Sequence, residues 1–440
     1  MRIDHAGFAI AMTRRIPPVT LPAEPPALRL AQLAWLAAAV FVVSAGYGAF
    51  MPMLPGWLTL TVPGMSAIDI ARHVGFLSGA YAAGVLIGAP LWGVVSDRTG
   101  RGRILIIGLV GYVASLLLLL LPGLTGLWSL YALRGATGFF VAAVVPVVAA
   151  LVAEHTPEKQ RARRFAWLGA MSLLGFLFGP GLNAVAGWAG SWAGAGAVAP
   201  MLSAQIVIVL CALLGAVMML GLAATLPASR TPGAAARKNP AAPIEGRVIA
   251  LWWLNGTVMF VLAGFELGIV LQGQLHTGLS PREVALMFAE CSLVMLGVNA
   301  LLFLTGWLEK VPARILMSVG LIVAITGLAV LAGHRSEAWM YLGVSLASAG
   351  TGLMLPVIAY LAAGASPQSL GATMGGLAAA SGFGQTLGSS ATGWMFGAIA
   401  QRSFGWLIVP LALLLILLLV RPGWPAIPPG PAAREGANRV

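Results

Sequence analysis

The sequence predicts an all-α integral membrane protein, with about twelve transmembrane helices arranged as two pseudo-symmetric six-helix bundles. Three observations predict it. Apolar runs recur along most of the 440 residues, and only 9% of residues are charged, against about 25% in soluble domains. Basic residues gather in alternate loops. Proline and glycine landmarks repeat at a nearly constant interval.

The mean hydropathy of +0.92 leaves too little polar surface for a soluble fold. A spanning helix needs about 20 apolar residues to cross a hydrocarbon core about 30 Å thick. Twelve runs qualify, at roughly 31–55, 74–96, 104–122, 127–152, 165–188, 202–226, 249–271, 284–307, 315–333, 338–363, 369–398 and 404–420. They divide the chain into an N-terminal tail (1–30), a first bundle (31–226), a linker (227–248), a second bundle (249–420) and a C-terminal tail (421–440). The linker is rich in Pro, Ala, Gly and Arg and reads as flexible. The proline-rich N-terminus lacks the short apolar core of a cleaved signal peptide. All five histidines, His73 among them, fall in tails or loops of this partition.

The net charge of +12 follows topology rather than nucleic-acid binding. With the N-terminus placed inside, twenty lysines and arginines lie on the inner side and four on the outer, with Arg134 left within span 4. The positive-inside rule then puts both termini in the cytoplasm. A multi-pass protein of the cell inner (cytoplasmic) membrane is expected, with the lipid bilayer as its surroundings, acting as a monomer. Cys211 and Cys291 both fall inside apolar runs, so no disulfide framework follows.

The halves read as repeats. Gly93 corresponds to Gly306, Pro146 in span 4 to Pro356 in span 10, and the pair Gly175 and Gly179 in span 5 to Gly384 and Gly388 in span 11. The three offsets agree within a few residues, a pattern common among membrane carriers.

After span 2 stands Gly93-Val-Val-Ser-Asp97-Arg98-Thr-Gly100-Arg101, which resembles the signature loop of the major facilitator superfamily. Leu133-Arg134-Gly135 with Gly138 and Pro146 resembles that family's span 4 motif. Gly175, Gly179, Pro180 and Gly181 in span 5 resemble the helix-bend motif of its proton-coupled exporters, although Asn183 and Ala184 stand where a later glycine pair is usual. The resemblance runs from about residue 31 to 420, closest to the twelve-helix drug or metabolite:proton antiporters. It implies a central cavity between the bundles, rocking alternating access, and efflux of a small organic compound. The alternative is uptake of a small solute, organic or a metal ion such as copper, by the same fold. A receptor or an enzyme would need a binding or catalytic constellation, and the short loops offer none. No nucleotide cradle is present, and neither cofactor, catalytic group nor nucleic-acid partner is expected.

The signature loop reads as a gate latch. Gly93 would permit close helix approach, and Asp97 would cap the positive end of a neighbouring helix; the resemblance implies that this neighbour is span 11, which begins at Ser366-Pro367 with a candidate cap and first-turn proline. The proton-coupling candidates are Arg134, Glu266 and Glu290. Insertion of an arginine in a span costs about 2.5–3.5 kcal/mol, so it should face a partner or a wet cavity. Glu266 and Glu290 are the two acidic residues inside the spans. Burial favours the protonated form of a carboxyl group, which suits a carrier of protons. By helical rise all three charges fall about 7–11 Å below the outer face and are expected to share one cavity. Glu290 is favoured as the carrier, being slightly deeper on an apolar face. Tyr47, Asn255 and Gln385 are the cavity candidates, with Tyr81, Trp252, Phe260 and Tyr360 as further aromatics. Met287, Cys291 and Met295 share a face of span 8; soft ligands suit Cu(I), but methionine is also ordinary core filler, and no metal site is assigned.

Overall fold

A computed structural model describes residues 28–124, 126–156, 158–192, 199–226, 246–275, 279, 281–365 and 370–421. Most of both tails and of the linker, together with Ser366 and Pro367, lies outside the described residues.

The described residues form fourteen α-helices, two short 3-10 turns and no strand: α1 (Leu30–Thr61), α2 (Ala67–Thr99), α3 (Arg101–Leu118), α4 (Leu127–Val141), α5 (Val145–Glu154), α6 (Glu158–Trp192), α7 (Ala199–Thr225), α8 (Gly246–Leu275), α9 (Pro281–Thr305), α10 (Trp307–Lys310), α11 (Ala313–Gly333), α12 (Glu337–Ala365), α13 (Leu370–Ile399) and α14 (Ser403–Val420). Eleven apolar stretches are long enough to cross a membrane, and the last, Thr373–Val420, comprises both α13 and α14 around a 3-10 turn. Twelve spans result, with span 4 made of α4 and α5. The face bearing Leu30, Thr99 and Val420 is called the terminal face below, and the face bearing Thr61 and Ala67 the far face.

Helix starts follow local chemistry. Ser66 caps α2, accepting a hydrogen bond from the Asp69 amide at 3.1 Å. The cap starts α2 seven residues before the apolar run, so His73 lies inside a helix and not in a loop, with its Nδ1 on the Tyr131 hydroxyl of α4. Between α4 and α5 the chain makes a turn at residues 142–144, with Pro146 in the first turn of α5. Proline has no amide to continue the ladder. Its counterpart Pro356 sits inside the unbroken α12.

Each half uses the same helix pairs. The packings α1 on α6, α2 on α4, α3 on α7 and α1 on α7 recur as α8 on α13, α9 on α12, α11 on α14 and α8 on α14. The repeated glycines explain the first of these. A Cβ at Gly175 or Gly179 would strike the α1 backbone at Phe41 and Gly48, and one at Gly384 or Gly388 would strike the α8 backbone at Gly256 and Phe260. Small residues let two backbones touch where lipid offers no hydrophobic drive for association. Gly181 plays no such part, having nothing within 4 Å.

The halves meet along two seams, α2 on α13 and α6 on α9. The first is tight at the far face: a Cβ on Gly75 would stand 2.7 Å from the Gly393 Cα, and one on Gly397 would stand 3.0 Å from the Ile68 carbonyl. Contact continues to Leu86 and Gly382, where the built distance is 3.0 Å. Toward the terminal face the helices part: nothing lies within 4 Å of Gly93 or Gly375, and Leu91 and Val94 are exposed. The expected close approach at Gly93 is therefore not made in this conformation.

Candidate transport site

Arg134 is carried by α4 into the interior of the first half and is only 2% exposed. Its guanidinium carbon lies 4.7 Å from the centre of the Phe50 ring and 4.8 Å from that of Tyr81. Cation–π contacts of this kind are worth about 0.5–2 kcal/mol. No ion pair among the described residues includes Arg134, and its Nε and Nη2 have no hydrogen-bond partner there. Among the described residues, aromatic rings and not a carboxylate meet the charge.

The connection between halves runs instead through Tyr47 on α1. The Tyr47 side chain lies within electrostatic reach of both Glu266 of α8 and Arg134. Its ring is 5.2 Å from Tyr81 and stacks 5.7 Å from Phe176 on α6, which in turn lies 5.7 Å from Phe288 on α9. Tyr81, Tyr47, Phe176 and Phe288 thus make a continuous aromatic path from one half to the other. Tyr47 and Glu266 are both half-buried.

Glu290 is held differently. It accepts a hydrogen bond from the Ser345 hydroxyl of α12 at 2.5 Å, within the second half, while its Oε2 is buried without a partner. Cys291 is within electrostatic reach of both glutamates, so those two lie in one region, and Glu266 is the one that meets a residue of the opposite half. Cys291 and Met287 are buried, and Met295 packs 3.0 Å from where a Cβ on Gly352 would stand, as core residues do.

Two cavity candidates serve the scaffold. The Asn255 amide donates to the Leu377 carbonyl at 3.0 Å and the Ser381 hydroxyl at 2.6 Å, pinning α8 to α13 while buried. The Trp252 indole donates to the Thr373 carbonyl at 3.0 Å, fastening the same two helices. Gln385 is half-buried on α13, Phe260 packs under Gly388, and Tyr360 is exposed.

At the terminal face, Gly100 closes α2 with φ 98°, in the region that favours glycine. The turn brings Arg101 back onto Asp97 at 3.0 Å and across to Glu154 at the end of α5 at 2.6 Å. Arg98 is exposed. The partner expected for Asp97 lies at Ser366 and Pro367, outside the described residues; Glu154, two residues short of the basic segment 157–164, is the partner of Arg101 to which the loop reading gave no role.

A family model described as the Major Facilitator Superfamily matches residues 36–298 and 256–439. The chain belongs to the major facilitator superfamily. As a member it is a membrane-embedded transporter of small molecules rather than an enzyme. The tetracycline resistance protein, class G, of Vibrio anguillarum is 27% identical over 85% of this chain and 92% of its own length. The tetracycline resistance protein, class B, of Escherichia coli is 34% identical over 32% of this chain, and the match spans about a third of that protein, 34%. The quinolone resistance protein NorA of Staphylococcus aureus is 29% identical over 33% of this chain and 35% of its own length. The xylose transporter XylE of Escherichia coli superposes with a TM-score of 0.68 over 90% of this chain and 98% of its own, at 16% identity. The human organic anion transporter MFSD10 superposes with a TM-score of 0.66 over 88% and 99%, at 17% identity. At these identities the superpositions show a shared fold over most of the chain.

Proposed function

We propose that the protein exports a small, partly apolar organic compound in exchange for protons, by alternating access, with its terminal face in the cytoplasm. The observation that carries the coupling is the approach of Tyr47 on α1 to Glu266 on α8, by which the carboxylate of one half meets a phenol of the other beside a buried arginine. Protonation of Glu266 removes its charge and so alters a contact that spans the moving interface. A substrate bearing a cationic group would compete with the proton for that carboxylate. The aromatic path beside it offers flat apolar surface, and the likeness to resistance proteins named for tetracycline and quinolone supports a drug-like substrate. Glu266 thereby replaces Glu290 as the preferred carrier, because the Ser345 bond keeps Glu290 within one half.

The test compares two single variants in proteoliposomes. Glu266→Gln is expected to lose transport driven by a pH gradient by at least about tenfold while keeping substrate binding and downhill exchange. Glu290→Gln is expected to keep driven transport. Full driven activity in Glu266→Gln would remove the coupling role. Orientation is checked separately: a cysteine placed at Glu309, exposed on the terminal face, should resist an impermeant thiol reagent added to intact cells, and efficient labelling would reverse the topology.

A further inference from the structure

Among the described residues, none supplies an anion to the cation at Arg134. It is buried, its Nε and Nη2 lack hydrogen-bond partners, and the Tyr112 hydroxyl is a further buried polar atom without one. Arg134 and Tyr112 are within electrostatic reach of each other. Tyr112 is held in place by the helices around it. A Cβ on Gly46 would strike its hydroxyl, and one on Gly215 would stand 3.0 Å from its ring. The two orphaned groups of Arg134 are not scattered. Nε and Nη2 carry the parallel N–H bonds of one edge of the guanidinium, the edge that takes a planar carboxylate in a two-pronged contact. Phe50 and Tyr81 meet the guanidinium with their rings, and the Nε–Nη2 edge is left without an acceptor among the described residues. Glu266, the carboxylate across the interface, faces Tyr47, and no ion pair among the described residues joins it to Arg134.

We propose that the Arg134 edge and the Tyr112 hydroxyl together form a binding site for a planar monoanion of the carboxylate type. The anion would come either from the medium, as a resident counter-ion, or from the transported compound. The site is independent of the proton-carrying role given to Glu266, because it lies in the first half and is read here without a proton gradient.

The full-length protein, purified in detergent, is melted in rising sodium acetate and in a bulky sulfonate salt at equal ionic strength. A ligand bound to the folded state raises the midpoint with the logarithm of its concentration; a rise of about 3 °C specific to acetate is expected. Arg134→Gln should abolish the rise. Since that variant risks misfolding, Tyr112→Phe serves beside it: it keeps the ring and the arginine, and should shift the response to about tenfold higher acetate. Sodium benzoate forms the second arm. A response to acetate alone supports a resident counter-ion, and a response to benzoate supports a carboxylate on the transported compound. Equal midpoints in carboxylate and sulfonate salts, or an acetate response undiminished in Arg134→Gln, overturn the proposal. Loss of driven transport in Glu266→Gln together with equal midpoints would retain the exporter reading and discard this site alone.

Discussion

The two ends of the α2–α13 seam are held by different physics. At the far face the helices touch backbone to backbone at Gly75 and Gly393, with no charge involved. At the terminal face the same helices separate, and the end of α2 is tied by Arg101 to Asp97 and Glu154. Packing contact is short-ranged and is lost within an ångström or so. Charge acts over a longer distance and is screened by salt. A seam with packing at one end and charge at the other can close at either end without needing the same interaction twice.

The largest effect is expected from breaking the packed end. Gly393→Leu puts a branched side chain where a single Cβ already meets the Gly75 Cα at 2.5 Å and the Ala71 carbonyl at 2.7 Å. Overpacking without room to relax costs about 1–3 kcal/mol. Transport should fall more than about tenfold at normal membrane abundance, and a cysteine placed at Ala71, buried against Gly393 at the far face, should become reactive to an impermeant thiol reagent. Ordinary transport in this variant would mean that the seam does not close during the cycle.

A smaller loss is expected at the charged end. Asp97→Asn removes one carboxylate from an exposed pair, and such pairs contribute about 0–1 kcal/mol to stability. Folding should therefore be unaffected, while transport drops if Asp97 latches onto α13 when the terminal face closes. Retained transport in Asp97→Asn, measured at matched expression, would remove the latch.

The smallest effect on transport, and the clearest on stability, is expected within the second half. Asn255 anchors α8 to α13 below the point where α13 leaves α2. Asn255→Ala leaves the Leu377 carbonyl with one donor fewer and should cost about 1–3 kcal/mol, read as a lower melting midpoint with substrate affinity unchanged. A changed affinity at unchanged stability would return Asn255 to the cavity.

The spans and the repeat of the halves were readable in the sequence because both rest on spacing. Hydrophobic length marks a span, and Gly175/Gly179 against Gly384/Gly388 marks equivalent backbone contacts. The start of α2 escaped a hydropathy reading because its first turn is polar; the Ser66-x-x-Asp69 cap was the available signal. What the charged groups touch was not readable. The arginine meets the rings of Phe50 and Tyr81, and Tyr47 meets Glu266 from the other bundle, through tertiary contacts with no sequence period. Glu266 and Glu290 look alike in sequence and differ only in which helix faces them.

The interruption after Val141 has a mechanical meaning. Arg134 and Glu154 would ride one rod if span 4 were continuous, as its counterpart α12 is. With a joint at residues 142–144, α5 becomes a lever arm of ten residues, about 15 Å long at the helical rise. A swing of about 10° at the joint carries its tip about 2.6 Å at that length. That travel is comparable to the 2.6 Å between Glu154 and Arg101, so a modest flexure at mid-membrane suffices to clasp or release the terminal-face tie while the arginine behind the joint keeps its place.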